Sequence, residues 1–297
     1  MFNYLRVVGT CEACLCETAP LYNVSGVWYD RCAQCGLTQV GDDTAPATVD
    51  DVYDDHYFYG GGAGYPNYTA EAQILRMHGQ RYARLLSRYT RPGRLLDVGG
   101  AAGYIAQGFH DYGWSATVLD PNKTMIAIAA SLAEEADLGT LETFTTKRPY
   151  DLVLMLQALP HFMNLREALH AARAATTLDG YWLVETWNSD SLTARVLKAQ
   201  WQEFSPPSVR RIFTLKSLDR LFSDYFFVRI AMGRPQKWLL GSHAKSLLAY
   251  KATQSSVMRL ASSIAHYLPD SFRIPYPGED LFWALYQSRV REAGSSS

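Results

Sequence analysis

Cys11-x2-Cys14 and Cys32-x2-Cys35, with 17 residues between the pairs, have the spacing at which each turn offers two thiolates to one tetrahedral Zn²⁺. Gly36 follows the second pair, where a metal-binding knuckle needs a residue that accepts positive φ as its amides approach the sulfurs. Four protein ligands leave no open coordination position. The expected role is therefore structural, folding a segment too small to own a core. Cys16, the fifth cysteine, is read as a free thiol outside the sphere.

A second concentration of chemistry lies at 94–109. Arg94-Leu-Leu-Asp-Val is a short apolar run carrying Asp97; Gly99, Gly100 and Gly103 follow, then a helix-period segment, which reads as strand, tight turn, helix. Ser115 to Asp120 is a second buried strand ending in an acid, and Pro121-Asn122 opens a helix expected over 123–135. At the carboxyl end of such a parallel pair a glycine turn brings backbone amides close to a ligand. An acid ending the second strand can accept both hydroxyls of a ribose, and Asp120 has that place. Tyr104-Ile105-Ala106 stand where the last glycine of a dinucleotide fingerprint would be, which disfavours a pyrophosphate. Asp97 suits a ligand with an ammonium end instead. The pattern points to S-adenosylmethionine held by Asp97, Gly99, Gly100, Ala101, Gly103, Asp120 and Pro121, with Gln157 a contact of cofactor or acceptor.

Asp97-Val-Gly-Gly-Ala-Ala-Gly103 and Asp120-Pro-Asn resemble motifs I and II of the class I S-adenosylmethionine-dependent methyltransferases. Tyr150 to Gln157 is similar to their fourth strand, and Leu178 to Asn188 to their glycine turn and fifth strand. Ser191 to Leu197, Trp201, Pro206-Pro207 and Phe213 to Phe222 resemble the stretch that follows in the branch of small-molecule and sugar methyltransferases, many of which carry an N-terminal CxxC…CxxCG zinc ribbon and a tyrosine-rich linker. The resemblance covers roughly residues 11 to 290. It implies a Rossmann-like α/β fold with a seven-stranded sheet, S-adenosylmethionine as cofactor and a structural zinc.

The chain departs from that branch at proton-handling positions. Where sugar C-methyltransferases usually have Glu-His at the end of the fourth strand, Gln157 and Ala158 stand here, and Val209 occupies the place of a His that often follows the Pro-Pro pair. Methyl transfer to an ionised oxygen or an amine needs mainly in-line positioning, because the sulfonium is already a strong electrophile. The reading therefore favours O-methylation of a small specialised metabolite. C-methylation of a sugar or other carbon acid, N-methylation, and a non-methylating cofactor-binding protein stay as alternatives. Candidate proton-handling groups are His161, Glu185, Asp190 and Tyr57; His161 could instead cap the helix beginning near Asn164. Trp182, Trp187 and Trp201 could line an acceptor pocket or belong to the core.

The elements that must position these residues divide the chain into a zinc-ribbon segment (1–42), a tyrosine- and glycine-rich linker or lid (43–68), a cofactor-binding domain (69–291) with a helical insertion (239–268), and a disordered tail (292–297). Five linker tyrosines, at 53, 57, 59, 65 and 68, hang on glycine hinges that no regular element tolerates well. A helix is expected from about 69 to 89, and the last two strands over 226–231 and 280–289, the final one inserted antiparallel. With 48% hydrophobic and 19% charged residues among 297, disorder is excluded. A net charge of −1, with no basic cluster near the cysteines, disfavours a nucleic-acid partner, including an RNA read by the ribbon. Neither a membrane span nor a signal peptide is evident, so a cytoplasmic monomer or homodimer acting on a small molecule is expected.

Overall fold

In the computed structural model the described residues are 9–41, 52–61, 64–132, 135–252, 262–263, 267–276 and 278–289. Linker residues 43–51, Gly62 and Ala63, most of the expected insertion beyond 252 and the tail 292–297 lie outside them.

Three antiparallel strands come first, β1 (Thr18–Val24), β2 (Val27–Cys32) and β3 (Thr38–Val40). Helix α1 (Asp55–Tyr59) occupies part of the linker expected to lack regular structure, and α2 (Ala72–Leu86) follows. The alternating core then runs β4 (Arg94–Val98), α3 (Tyr104–His110), β5 (Ser115–Asp120), α4 (Lys123–Ala129), β6 (Glu135–Leu138) and β7 (Tyr150–Leu156). It continues with α5 (Leu165–Ala174), β8 (Thr176–Trp187), α6 (Leu192–Leu197), β9 (Arg211–Ile212), α7 (Leu215–Ser223) and β10 (Phe227–Gly233). Strand β11 (Trp238–Leu240), α8 (Gly241–Ala252), β12 (Arg273–Pro275) and β13 (Leu281–Ser288) complete the chain.

The main sheet has seven strands in the order β10-β13-β8-β7-β4-β5-β6. Strands β4 to β8 are parallel, and β13 enters antiparallel between β8 and β10. Helices cover both faces, so the central strands are apolar on both, and successive residues feed opposite layers. Leu95, Leu152, Leu154 and Leu183 pack with Phe109 and Trp114 on one side, whereas Leu96, Val153, Met155, Trp182 and Val184 pack with Leu169 and Phe222 on the other. Trp182 stacks on Phe227 with ring centroids 3.8 Å apart. Helix starts are set locally: Asn122 accepts the Met125 amide at 2.8 Å, Asn164 that of Glu167, and Thr214 that of Ser217.

Two boundaries differ from expectation. The helix opened by Asn122 ends at Ala129, and Glu135–Leu138 form β6 beside β5, a strand whose four mostly exposed residues give no hydrophobic alternation to read. Leu239 and Leu240, expected to be helical, are strand residues of β11, which pairs with β12 and so clamps the ends of the insertion together.

The N-terminal strands do not form a separate layer. Their sheet runs β1-β2-β3-β9, so β9, deep in the second half of the chain, completes it. Buried Arg211 on β9 pairs with the Glu12 carboxylate between the first two cysteines and donates to the carbonyls of Phe162 and Met163. Thr214 donates to the Cys35 carbonyl at 2.8 Å. No helix among the described residues is long and apolar enough to cross a membrane.

Candidate active site and metal centre

The sulfurs of Cys11, Cys14, Cys32 and Cys35 all lie within 4.8 Å of one another, with Cys11 and Cys35 3.5 Å apart and Cys14 and Cys32 3.4 Å apart. Tetrahedral Zn–S bonds of ~2.3 Å would place sulfurs about 3.8 Å apart, so the cage fits that ion and no disulfide links its members. Gly36 has φ +81°, as the knuckle requires. Cys16 turns away, its thiol donating to the Cys14 carbonyl.

A cleft opens at the carboxyl ends of the parallel strands. Gly99, at φ +68°, turns the chain after β4, and Gly100 leaves room where a Cβ would stand 2.8 Å from a carboxylate oxygen of Asp97. Asp97, Gly99, Gly100, Ala101, Asp120, Pro121 and Gln157 all line the cleft. Gly103 does not; it stands behind the turn at the start of α3. Asp97 is buried, and its Oδ2 has no hydrogen-bond partner among the described residues. Burial, and then the charge of Asp120, push its carboxyl up to about 7. Asp120 accepts the Ala101 amide on one oxygen and the Asn122 amide on the other, both at 2.9 Å, which leaves each oxygen a lone pair. Burial raises its carboxyl to about 6, against the pull of those two amides. Capping of α4 falls to Asn122, so Asp120 is free of that task.

Four linker tyrosines, Tyr53, Tyr57, Tyr65 and Tyr68, line the cleft; Tyr59 points to solvent. The four form edge-to-face contacts in a chain, Tyr53 with Tyr57, Tyr57 with Tyr65, and Tyr65 with Tyr68. Burial raises the Tyr57 phenol, which favours its protonated form.

His161 lines the cleft, but Asn164, not His161, caps α5. Its Nδ1 donates to the Ser208 carbonyl at 2.8 Å, and burial lowers its pKa, keeping the ring neutral. Glu185, at the end of β8, also lines the cleft. Its Oε2 accepts from His78 Nε2 at 2.8 Å and from the Tyr82 hydroxyl, and its Oε1 accepts from Gln157 at 3.1 Å. Burial works against its charge, but His78, Lys237 and Tyr82 outweigh burial and hold the carboxyl down at about 2. Asp190 is outside the cleft, in a half-exposed ion pair with Arg31 at 2.8 Å. The three tryptophans are outside as well: Trp182 is in the core, Trp201 donates to Asp280 at 3.1 Å, and Trp187 packs near Tyr276.

Sequence reasoning missed the other side of the cleft. Glu71, Ile74, Leu75 and His78 come from the start of α2 and the turn before it, and Lys237, Trp238 and Leu239 from the base of the insertion. The i, i+4 spacing of Ile74 and His78, beside Glu71, was the one available signal, and it reads equally well as a core face.

A family model described as a methyltransferase domain matches residues 71–228, just over half of the 297-residue chain. The chain belongs to this methyltransferase family. The ubiquinone biosynthesis O-methyltransferase of Rhodopseudomonas palustris (strain BisB18) is 26% identical over 133 residues, 43% of this chain and 48% of that protein. The uncharacterized methyltransferase YcgJ of Bacillus subtilis (strain 168) is 28% identical over 156 residues, 50% of this chain and 60% of that protein. The match thus spans about half the length of these curated relatives. Among solved structures, a putative methyltransferase from Bacillus halodurans C-125 superposes with a TM-score of 0.52 at 12% identity, covering 71% of this chain and 99% of that one. The Bacillus subtilis YcgJ structure gives 0.50 at 16% identity, covering 72% and 100%. These structural likenesses establish the seven-stranded Rossmann-like fold of the methyltransferase domain.

Proposed function

We propose that the protein transfers the methyl group of S-adenosylmethionine to an oxygen of a small hydroxylated acceptor. The observation that carries this reading is the buried pair of carboxylates flanking the glycine turn, one with an unsatisfied oxygen on the cleft wall. Asp97 holds the cationic methionine end, Asp120 the ribose hydroxyls, and Gly99 to Ala101 and Pro121 line the space between. Gln157, whose amide reaches the Glu185 carboxylate, faces the reacting end. The relatives named as ubiquinone biosynthesis O-methyltransferases support oxygen as the accepting atom. The absence of the Glu-His pair at Gln157 and Ala158 weighs against the C-methylation route of the sugar branch. The cysteine cage holds a structural Zn²⁺, which supplies folding energy to the ribbon and takes no part in transfer.

Calorimetric titration with S-adenosylmethionine and S-adenosylhomocysteine tests the cofactor assignment. Wild type is expected to bind both, and Asp120→Ala to bind at least about 10²-fold more weakly, since hydrogen bonds to a charged group contribute ~1.5–3 kcal/mol each. Equal affinity in the variant, or no binding by wild type, would remove the assignment. A gain of one methyl mass on an oxygen of the acceptor checks the reaction itself.

A further inference from the structure

We propose that His78 is the general base for a phenolic acceptor, taking the hydroxyl proton on Nδ1 as the oxygen attacks the methyl group, with Glu185 as its positioning residue. This rests on the methyltransferase reading above and adds the acceptor class to it.

The geometry begins with tautomer. An ionised carboxylate can only accept, so His78 Nε2, 2.8 Å from Glu185 Oε2, carries the hydrogen. Nδ1 is then the basic nitrogen. It forms no hydrogen bond with any described residue, and His78 lines the cleft. Tyr82 and Gln157 occupy the remaining positions around the carboxylate, so Glu185 is fixed on three sides and the imidazole ring is held in one orientation. A base oriented by a third group in this way is the arrangement that activates hydroxyls generally.

Its place in the sheet is also right. Asp97 is near the end of β4 and Asp120 ends β5, whereas Glu185 is near the end of β8, on the other side of β4 with β7 between. At ~4.8 Å per strand the Glu185 strand stands about 10 Å from the Asp97 strand, on the side away from Asp120. His161 lies elsewhere, its Nδ1 committed to Ser208 and its ring edge-on to Tyr53. Around His78 the charged and titratable groups are Glu185 from β8, Tyr82 from its own helix and Lys237 from the segment before β11, with Tyr65 and Glu71 further along the wall. The Lys237 ammonium and the rings of Tyr65 and Trp238 suit a flat acceptor that becomes an anion.

A phenol with a pKa near 10 is almost wholly protonated at neutral pH, so a base is required where positioning alone is not enough. In the step, the O–H electrons stay on oxygen as the proton moves to Nδ1. The oxygen lone pair forms the O–CH₃ bond, and the C–S bonding pair returns to sulfur, leaving neutral S-adenosylhomocysteine. The imidazolium so formed faces the Glu185 carboxylate and later gives its proton to water. The chain thus rebuilds in space, from α2 and β8, an acid and histidine pair that it lacks at positions 157 and 158.

Two probe acceptors of similar shape decide the matter at pH 8: 4-methylphenol, which is un-ionised there, and 4-nitrophenol, which is largely ionised. His78→Gln is expected to cut kcat for 4-methylphenol by about 10²–10⁴-fold and that for 4-nitrophenol by less than about tenfold. Glu185→Gln should shift the rising limb of the 4-methylphenol pH profile to lower pH, because the imidazolium loses its carboxylate; a purely structural acid would lower kcat without moving the limb. S-adenosylhomocysteine binding by each variant reports that the fold is kept. Equal losses on both probes, no turnover of 4-methylphenol by wild type that binds S-adenosylhomocysteine, or the same selective loss from His161→Gln in place of His78→Gln would overturn the proposal. A wild type unable to bind S-adenosylhomocysteine would bring down the methyltransferase reading, and the proposal with it.

Discussion

Lowering the pH from 8 to 5 should weaken S-adenosylmethionine binding steeply, because both cofactor carboxylates must be ionised to hold a cation and a ribose. Burial and the neighbouring Asp120 bring Asp97 up to about 7, and burial brings Asp120 up to about 6, from an ordinary value of 3.8 for each. If only the ionised form of Asp97 is competent, the apparent Kd rises about tenfold from its plateau at pH 6 and about 10²-fold at pH 5, with a further factor of about ten at pH 5 from Asp120. Binding at pH 6 should release about 1.4 protons, about 0.9 from Asp97 and about 0.5 from Asp120, read by calorimetry in two buffers of different ionisation enthalpy. The sign for stability is opposite to that of a salt-bridged acid. Between pH 4 and 7 these two carboxyls bind more protons in the native state than in the unfolded chain, so their contribution to the stability of the ligand-free protein falls as pH rises through that window and is flat on either side of it. For Asp97 alone the change is about 4 kcal/mol as an upper figure. Cofactor binding that is flat from pH 5 to 8 without proton release would refute this account of the carboxylate pair, as would an unchanged pH dependence in Asp97→Asn.

Two further outcomes follow from the ribbon. Metal analysis should find about one zinc per chain in wild type and none in Cys32→Ser, and chelation should lower the melting temperature, since a ribbon of this size has no core of its own. Arg211→Ala should cost about 2–4 kcal/mol in denaturant unfolding, towards the lower end of values for broken buried pairs because Glu12 keeps a third of its side chain exposed; a loss under 0.5 kcal/mol would mean that the ribbon is not anchored there.

How much could be read from the residues follows from how each part is assembled. The cofactor turn is contiguous, so Asp97, the glycines and Asp120 declare themselves within 24 positions, and the structure gathers all but Gly103 on one wall. The cysteine cage is equally local. Strand β6 was invisible because an edge strand with one half-buried Ala136 carries no alternation. His78 was invisible for a different reason: its partner Glu185 is 107 positions away, and a histidine on an amphipathic helix face looks like any core position. Asp190 lies outside the cleft because proximity in sequence to the fifth strand says nothing about which side of it a side chain occupies, and of the two readings open for the tryptophans the structure places Trp182 in the core.

The two ends of the cleft are therefore built by different means, and this explains why family likeness reaches the cofactor and stops short of the acceptor. The turn between β4 and α3 binds through backbone geometry that only a few residue types permit. The opposite wall is made of side chains on α2, β8 and the segment before β11, each set by its own element and each replaceable without disturbing the turn. The insertion is tied into that wall independently of the sheet: His243 on α8 bonds to buried Glu71 at 2.9 Å, and its ring lies 4.8 Å from that of Tyr65. A change of acceptor is therefore expected from substitutions on α2, at the end of β8 or at the base of the insertion. Changes at Asp97 or Asp120 are expected to weaken cofactor binding whatever the acceptor.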